Sequence, residues 1–254
     1  MMKTLPKLIT KKEMLNNFKN EKQYSNWIAQ KLKSKTITKI RSNLYALIDP
    51  STNDIYSTKF EIASKISDSS FLCYHSALEY YGIANQVFSD ILVGSLTKFN
   101  NFVFSDNEYI YKSFKNIKFV NNNINEGIKV SSLEKTIIDC IDDIDLAGGI
   151  EEVLNALEQI KYIDEDKLLD VLKDIDKMFL YQKVGFLFEV YNDQLGLSNE
   201  FFKECKSHIS KKINYFIQYE FKETELNKEW NLIVPKNIKS RINGGYWWII
   251  QDNI

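Results

Sequence analysis

The spacing of the apolar residues changes once within the first 48 residues, and that change limits what this end of the chain can fold into. In "KQYSNWIAQKLKSK", Tyr24, Trp27, Ile28 and Leu32 fall at i, i+3, i+4 and i+8, one apolar stripe along a helix. Directly after it, in "KTITKIRSNLYALI", β-branched and apolar residues alternate around Arg41-Ser42-Asn43, and Asn43 suits a turn. This predicts a hairpin in which Lys39 and Arg41, two apart, share one strand face. Upstream, "LITKKEMLNNF" sets Thr10 and Glu13 at capping-box spacing. A helix is expected from there, with Met14, Leu15 and Phe18 as its buried side and "KNEK" as its end.

Helix, helix and basic hairpin follow one another in the order of a winged helix-turn-helix. Charge points the same way. Residues 1–48 hold eleven Lys or Arg against two acids, a formal +9, whereas the remaining residues carry 22 basic and 32 acidic side chains, −10. A polyanion-binding head on an acidic body is expected, hidden within a net charge of −1. Opposite the apolar stripe lie Lys22, Asn26, Ala29, Gln30 and Lys33. Asn and Gln can pair with an adenine edge, lysines reach guanine or phosphate, and a small Ala permits close approach. Lys22, Asn26, Gln30 and Lys33 are therefore the expected groove contacts, with Lys11, Lys12, Lys35, Lys39 and Arg41 on the DNA backbone.

Beyond "DPSTND", a turn-rich stretch, the body begins. "KFEIASKIS" and "CYHSALEYYGIAN" follow, the second reading as a short helix stopped by Gly82. "QVFSDILV", "NNFVF", "EYIYKSF", "IKFV" and "GIKV" read as short strands of a mixed sheet rather than a regular βα alternation. From Ser131 the pattern is mostly helical, closing on the β-like runs "YFIQYEF", "WNLIVP" and "GYWWII". The expected class is α+β: a winged helix-turn-helix over 1–48, a mixed α/β domain over 49–160, and a helical lobe with terminal β segments over 161–254.

Two phrases, "HSALEYYGI" (His75 to Ile83) and "SSLEKTIIDCI" (Ser131 to Ile141), follow the basic head at a distance that resembles the AbiEi family of bacterial type IV toxin-antitoxin antitoxins. "IRSNLYAL" resembles that family's basic wing, with Asn43 where Gly is usual. The resemblance covers about residues 10–160 and implies an antitoxin, not an enzyme. It implies a head that represses its own operon by binding inverted repeats in promoter DNA, and a body that opposes a nucleotidyltransferase-like toxin without a stable complex. No cofactor is implied.

Gly94-Ser95 followed by Asp106-x-Glu108 superficially matches a nucleotidyltransferase signature, in which Ser95 would hold phosphate and Asp106 and Glu108 metal. Asn107 stands where an apolar residue is normal, and Asp106-Asn107 reads better as a hairpin turn. A ligand-responsive repressor is the remaining alternative and needs a sizeable pocket. His75 and His208 are far apart, and Cys73, Cys140 and Cys205 lack metal or disulfide spacing. Cys140 reads as a buried small hydrophobe.

No run reaches the roughly 18 to 20 apolar residues of a membrane span, and the first residues lack an apolar signal-peptide core, so a cytoplasmic setting is expected. The acidic phrase "SSLEKTIIDCIDDID" reads as a helix started by a Ser131 and Glu134 capping box. Its aspartates crowd the end where a helix dipole favours cations, so they are expected to meet solvent or a lysine. The acidic run from Asp139 to Asp176 reads as solvated helix faces, backed by Leu168, Leu169, Leu172, Ile175 and Phe179. "PKNIKSR" is a small basic patch.

Overall fold

A computed structural model describes residues 5–123, 125–217, 223–236 and 238. "GYWWII" lies wholly, and "YFIQYEF" and "PKNIKSR" mostly, outside the described residues. The fold is α+β and divides into two compact units, Met1–Ser76 with Phe88–Ser131 and Ala77–Val87 with Ser132–Ile254.

The first unit opens with β1 (Leu8–Thr10), α1 (Lys11–Met14) and a 3-10 turn over Leu15–Asn17. The helix α2 (Glu21–Lys33) and the strands β2 (Ile37–Arg41) and β3 (Leu44–Leu47) follow. The strands form an antiparallel sheet in the order β1-β3-β2. Thr10 starts α1 by accepting from the Glu13 N–H at 3.2 Å. The Glu13 carboxylate accepts from the Thr10 hydroxyl at 2.9 Å. Asn43, at φ 61°, makes the hairpin turn.

The same unit continues with α3 (Lys59–Lys65), which a full Thr58 and Glu61 capping box begins. Next come β4 (Phe71–Leu72), α4 (Tyr74–Tyr80), which from Ala77 onward belongs to the second unit, β5 (Asp90–Ser95), β6 (Phe102–Phe104), β7 (Asn107–Ser113), β8 (Val120–Asn123) and β9 (Ile128–Ser131). Gly82, at φ 70°, follows α4 as its sequence predicts. The strands build a mixed six-stranded sheet in the order β6-β7-β5-β4-β9-β8. The strand expected over "IKFV" starts only at its last residue, Val120. The β6–β7 turn sits one residue earlier than expected, on Ser105 and Asp106 at φ 47° and 62°.

The second unit holds α5 (Leu133–Asp142), α6 (Ile150–Gln159), α7 (Glu165–Ile175), α8 (Met178–Val190), α9 (Asn192–Leu195) and α10 (Asn199–Ser207). It ends in β10 (Asn214–Tyr215), β11 (Thr224–Asn227) and β12 (Leu232–Pro235), ordered β10-β12-β11. The α8 segment is buried from Leu180 through Phe188, because its sequence is apolar nearly all round. Asp176, in the left-handed region at φ 53°, separates α7 from α8. That break leaves Phe179 exposed, and Val171 joins Leu168 and Leu172 as the buried side of α7 in its place.

The cap of α5 is Ser132, whose side chain accepts from the Lys135 N–H, and not Ser131, which ends β9. Glu134 instead accepts from the Asp164 N–H at 3.4 Å. At the other end of α5 the expected lysine is present: Lys177 Nζ meets Asp142 at 2.5 Å. Lys183 Nζ donates to the Ile141 carbonyl at 3.4 Å, so two cations face the negative end of the helix dipole.

Unlike Asp142, Asp143 and Asp145, Asp139 is buried, paired with Lys135 on the same helix face. Burial raises its carboxyl to about 6, against the pull of Lys135. The folded chain therefore holds this proton more tightly than the unfolded chain. The stability that follows is present below the ordinary carboxylate range and is lost as pH rises through about 6. Asp139→Asn cannot lose a proton. Its stability relative to wild type, from urea denaturation between about pH 4 and about pH 7, should improve as pH rises, and a pH-independent difference would contradict the assignment.

Candidate nucleic-acid interface

α2 is fixed at its start by Asn20, whose side chain accepts from the Gln23 N–H at 3.0 Å, while Gln23 accepts from the Lys19 N–H at 3.1 Å. Its stripe then docks. Tyr24 and Ile28 pack on Ile9 and Ile37, and Trp27 and Leu32 close the margins with Phe18 and Tyr45. Phe18 lies against both Tyr24 and Trp27, with ring centres 5.6 and 5.4 Å apart. With that side committed, Lys22, Asn26, Ala29, Gln30 and Lys33 are all exposed, as the sequence predicts. A helix of 13 residues is about 20 Å long, and a major groove about 12 Å wide admits it.

The nine residues singled out by sequence fall into two sets. Lys22, Lys33, Lys35 and Lys39 are exposed and form no ion pair among the described residues, and Asn26 and Gln30 stand between the first two along α2. The others are engaged within the chain. Lys11 Nζ lies 3.0 Å from Glu21, and Lys12 Nζ lies 2.5 Å from Asp68. Arg41 is half-buried, its guanidinium 5.3 Å from the Phe99 ring centre and 5.0 Å from that of Phe102. Burial lowers the pKa of the guanidinium. The expectation that Lys39 and Arg41 share a strand face is corrected by a β-bulge between them, which interrupts the two-residue alternation.

The candidate nucleotidyl-transfer residues are not brought together. Ser95 is fully buried at the far end of β5, in register with Ser113, and its hydroxyl lies 2.9 Å from those of Ser67 and Ser69. Glu108 is in register with Asp90, five positions away, which at strand rise is about 16 Å. Asp106 belongs to the hairpin turn beyond it.

Among the described residues no cluster of three or more His, Cys, Asp or Glu is arranged to hold a metal ion. His75 is buried beside Phe88, and His208 stacks on Tyr181. All three cysteines are buried. Burial pushes the Cys205 thiol up to about 12, far from a reactive thiolate. Among the described residues no helix is long and apolar enough to cross a membrane.

No family model and no curated protein matches the chain. Among solved structures it is similar to the RV2827C protein from Mycobacterium tuberculosis, at TM-score 0.61 and 10% identity, over 90% of this chain and 86% of that one. At that identity the likeness is one of fold.

Proposed function

We propose that this chain is a cytoplasmic, DNA-binding autorepressor with a winged helix-turn-helix head, and an antitoxin of the AbiEi type acting against a nucleotidyltransferase-like toxin. The observation that carries the DNA-binding half is the outer face of α2, where Asn26, Ala29 and Gln30 lie exposed between Lys22 and Lys33 over a fully packed inner face. The path from strand through short helix and longer helix to hairpin supports the same reading. So does the sheet order β1-β3-β2, which sets the hairpin β2–β3 beside the strand that precedes the helices. In this role α2 reads base edges, Lys39 and the Ser42-Asn43 tip touch the flanking backbone, and Lys35 holds phosphate at the end of the helix. Arg41 acts as the anchor of the hairpin on Phe99 and Phe102.

The antitoxin half rests on the resemblance of "HSALEYYGI" and "SSLEKTIIDCI", which lie at α4 and α5. Gel-shift titration with the DNA upstream of the gene tests the first half. Asn26→Ala and Gln30→Ala should each cost about 1–3 kcal/mol on the specific site and leave binding to unrelated duplex unchanged. Equal loss on both DNAs would remove α2 from base readout. The second half is tested by co-expression with an adjacent nucleotidyltransferase-like gene, where restored growth is expected.

A further inference from the structure

A groove of about 570 Å³ in the first unit lies between the start of α1 with the β2–β3 turn on one side and the end of α3 with β9 on the other. That volume is in the range of small-ligand sites. Five cations line it: Lys11, Lys12, Arg41, Lys65 and Lys129, against two acids, Glu13 and Asp68. Three of the cations are answered. Lys11 pairs with Glu21, Lys12 with Asp68, and Lys65 with Glu13. The other two have no carboxylate of their own. Lys129 Nζ donates to the Asp68 carbonyl at 2.6 Å, and burial together with nearby Lys65 lowers its pKa. Arg41 lines the groove and forms no ion pair among the described residues. Two half-buried cations with no ion-pair partner among the described residues, in one concave site, suit an anion carrying several oxygens.

We propose that this groove binds the phosphate group of a small phosphorylated molecule, with Lys129 and Arg41 as its charge partners. The site is separate from the outer face of α2, so its failure leaves the DNA reading standing.

Pyrophosphate titrated into the full chain by calorimetry is the test. Binding is expected to weaken with salt, to fall by about tenfold or more in Lys129→Met, and to persist in Lys129→Arg. Affinity for promoter DNA should stay unchanged in Lys129→Met. Absence of pyrophosphate binding, or equal binding in Lys129→Met, overturns the proposal. Loss of DNA affinity without loss of pyrophosphate affinity also overturns it, assigning Lys129 to the DNA backbone instead. Should Lys129→Met not fold, wild type decides: pyrophosphate should protect Lys129 from acetylation as read by mass spectrometry, and unaltered acetylation refutes the site.

Discussion

Replacing Trp230 by Ala is expected to destabilise the second unit by about 3–5 kcal/mol, a large part of the roughly 5–15 kcal/mol that holds a typical domain together. The ring is completely buried, its Nε1 donates to Glu189 at 2.7 Å, and Phe202 lies against it. Lys206 Nζ stands 4.9 Å from the ring centre. The truncation therefore opens a cavity and removes the indole donor from Glu189 Oε2, leaving Lys206 as the carboxylate's partner at 3.5 Å. The ring is seated on α8 because residue 185 is glycine. A Cβ there would lie 2.1 Å from Cζ3 and 2.2 Å from Cη2 of Trp230. Helix propensity alone favours Ala over Gly by about 1 kcal/mol. Overpacking opposes that gain, so Gly185→Ala should lose about 1–3 kcal/mol or more in wild type. In the Trp230→Ala background the obstruction is gone, and the same substitution should become neutral or stabilising. Urea denaturation of the four proteins measures this reversal. Additive losses would mean that Trp230 does not fill the space over Gly185.

Where residues met near neighbours, the sequence was legible; where they met distant ones, it was not. The stripe of Tyr24, Trp27, Ile28 and Leu32 sufficed to orient α2, because helical spacing alone decides which side can dock. Ser131, at capping-box spacing from Glu134, was the expected cap, and Ser132 takes that place. Ser131 is held in the sheet by its pairing with Val120, and Glu134 reaches Asp164, thirty residues away. The alternation in "ITKIR" could not reveal a bulge, and nothing near Arg41 in sequence announces the rings of Phe99 and Phe102. The cation-lined groove was invisible for the same reason. Its walls come from α1, the hairpin, α3 and β9, which stand far apart in the sequence. Of the nine residues assigned to DNA by type and spacing, the four exposed lysines and the Asn26 and Gln30 pair stand clear of internal contacts, whereas Lys11, Lys12 and Arg41 are engaged by partners that only the fold supplies.

That division gives the DNA reading its most demanding test. If Lys22, Lys33, Lys35 and Lys39 each neutralise one phosphate, replacing all four by Gln removes four released counterions. The slope of log affinity against log salt should then become shallower by roughly 3.6, at about 0.9 per phosphate. Affinity at low salt should fall on the order of a hundredfold or more, equally on promoter and unrelated duplex, because phosphate contacts carry no sequence information. Lys11→Gln and Lys12→Gln are the matched contrast. Each removes the same charge from the head, but each lysine already has a carboxylate at 3.0 and 2.5 Å, so the slope should move much less. Fluorescence anisotropy across a salt series measures both sets. A fourfold variant that keeps the wild-type slope would move the DNA contact off this face altogether. Equal effects from the paired and unpaired lysines would mean that duplex binding breaks the Lys11–Glu21 and Lys12–Asp68 pairs, and would extend the phosphate track from α2 across α1.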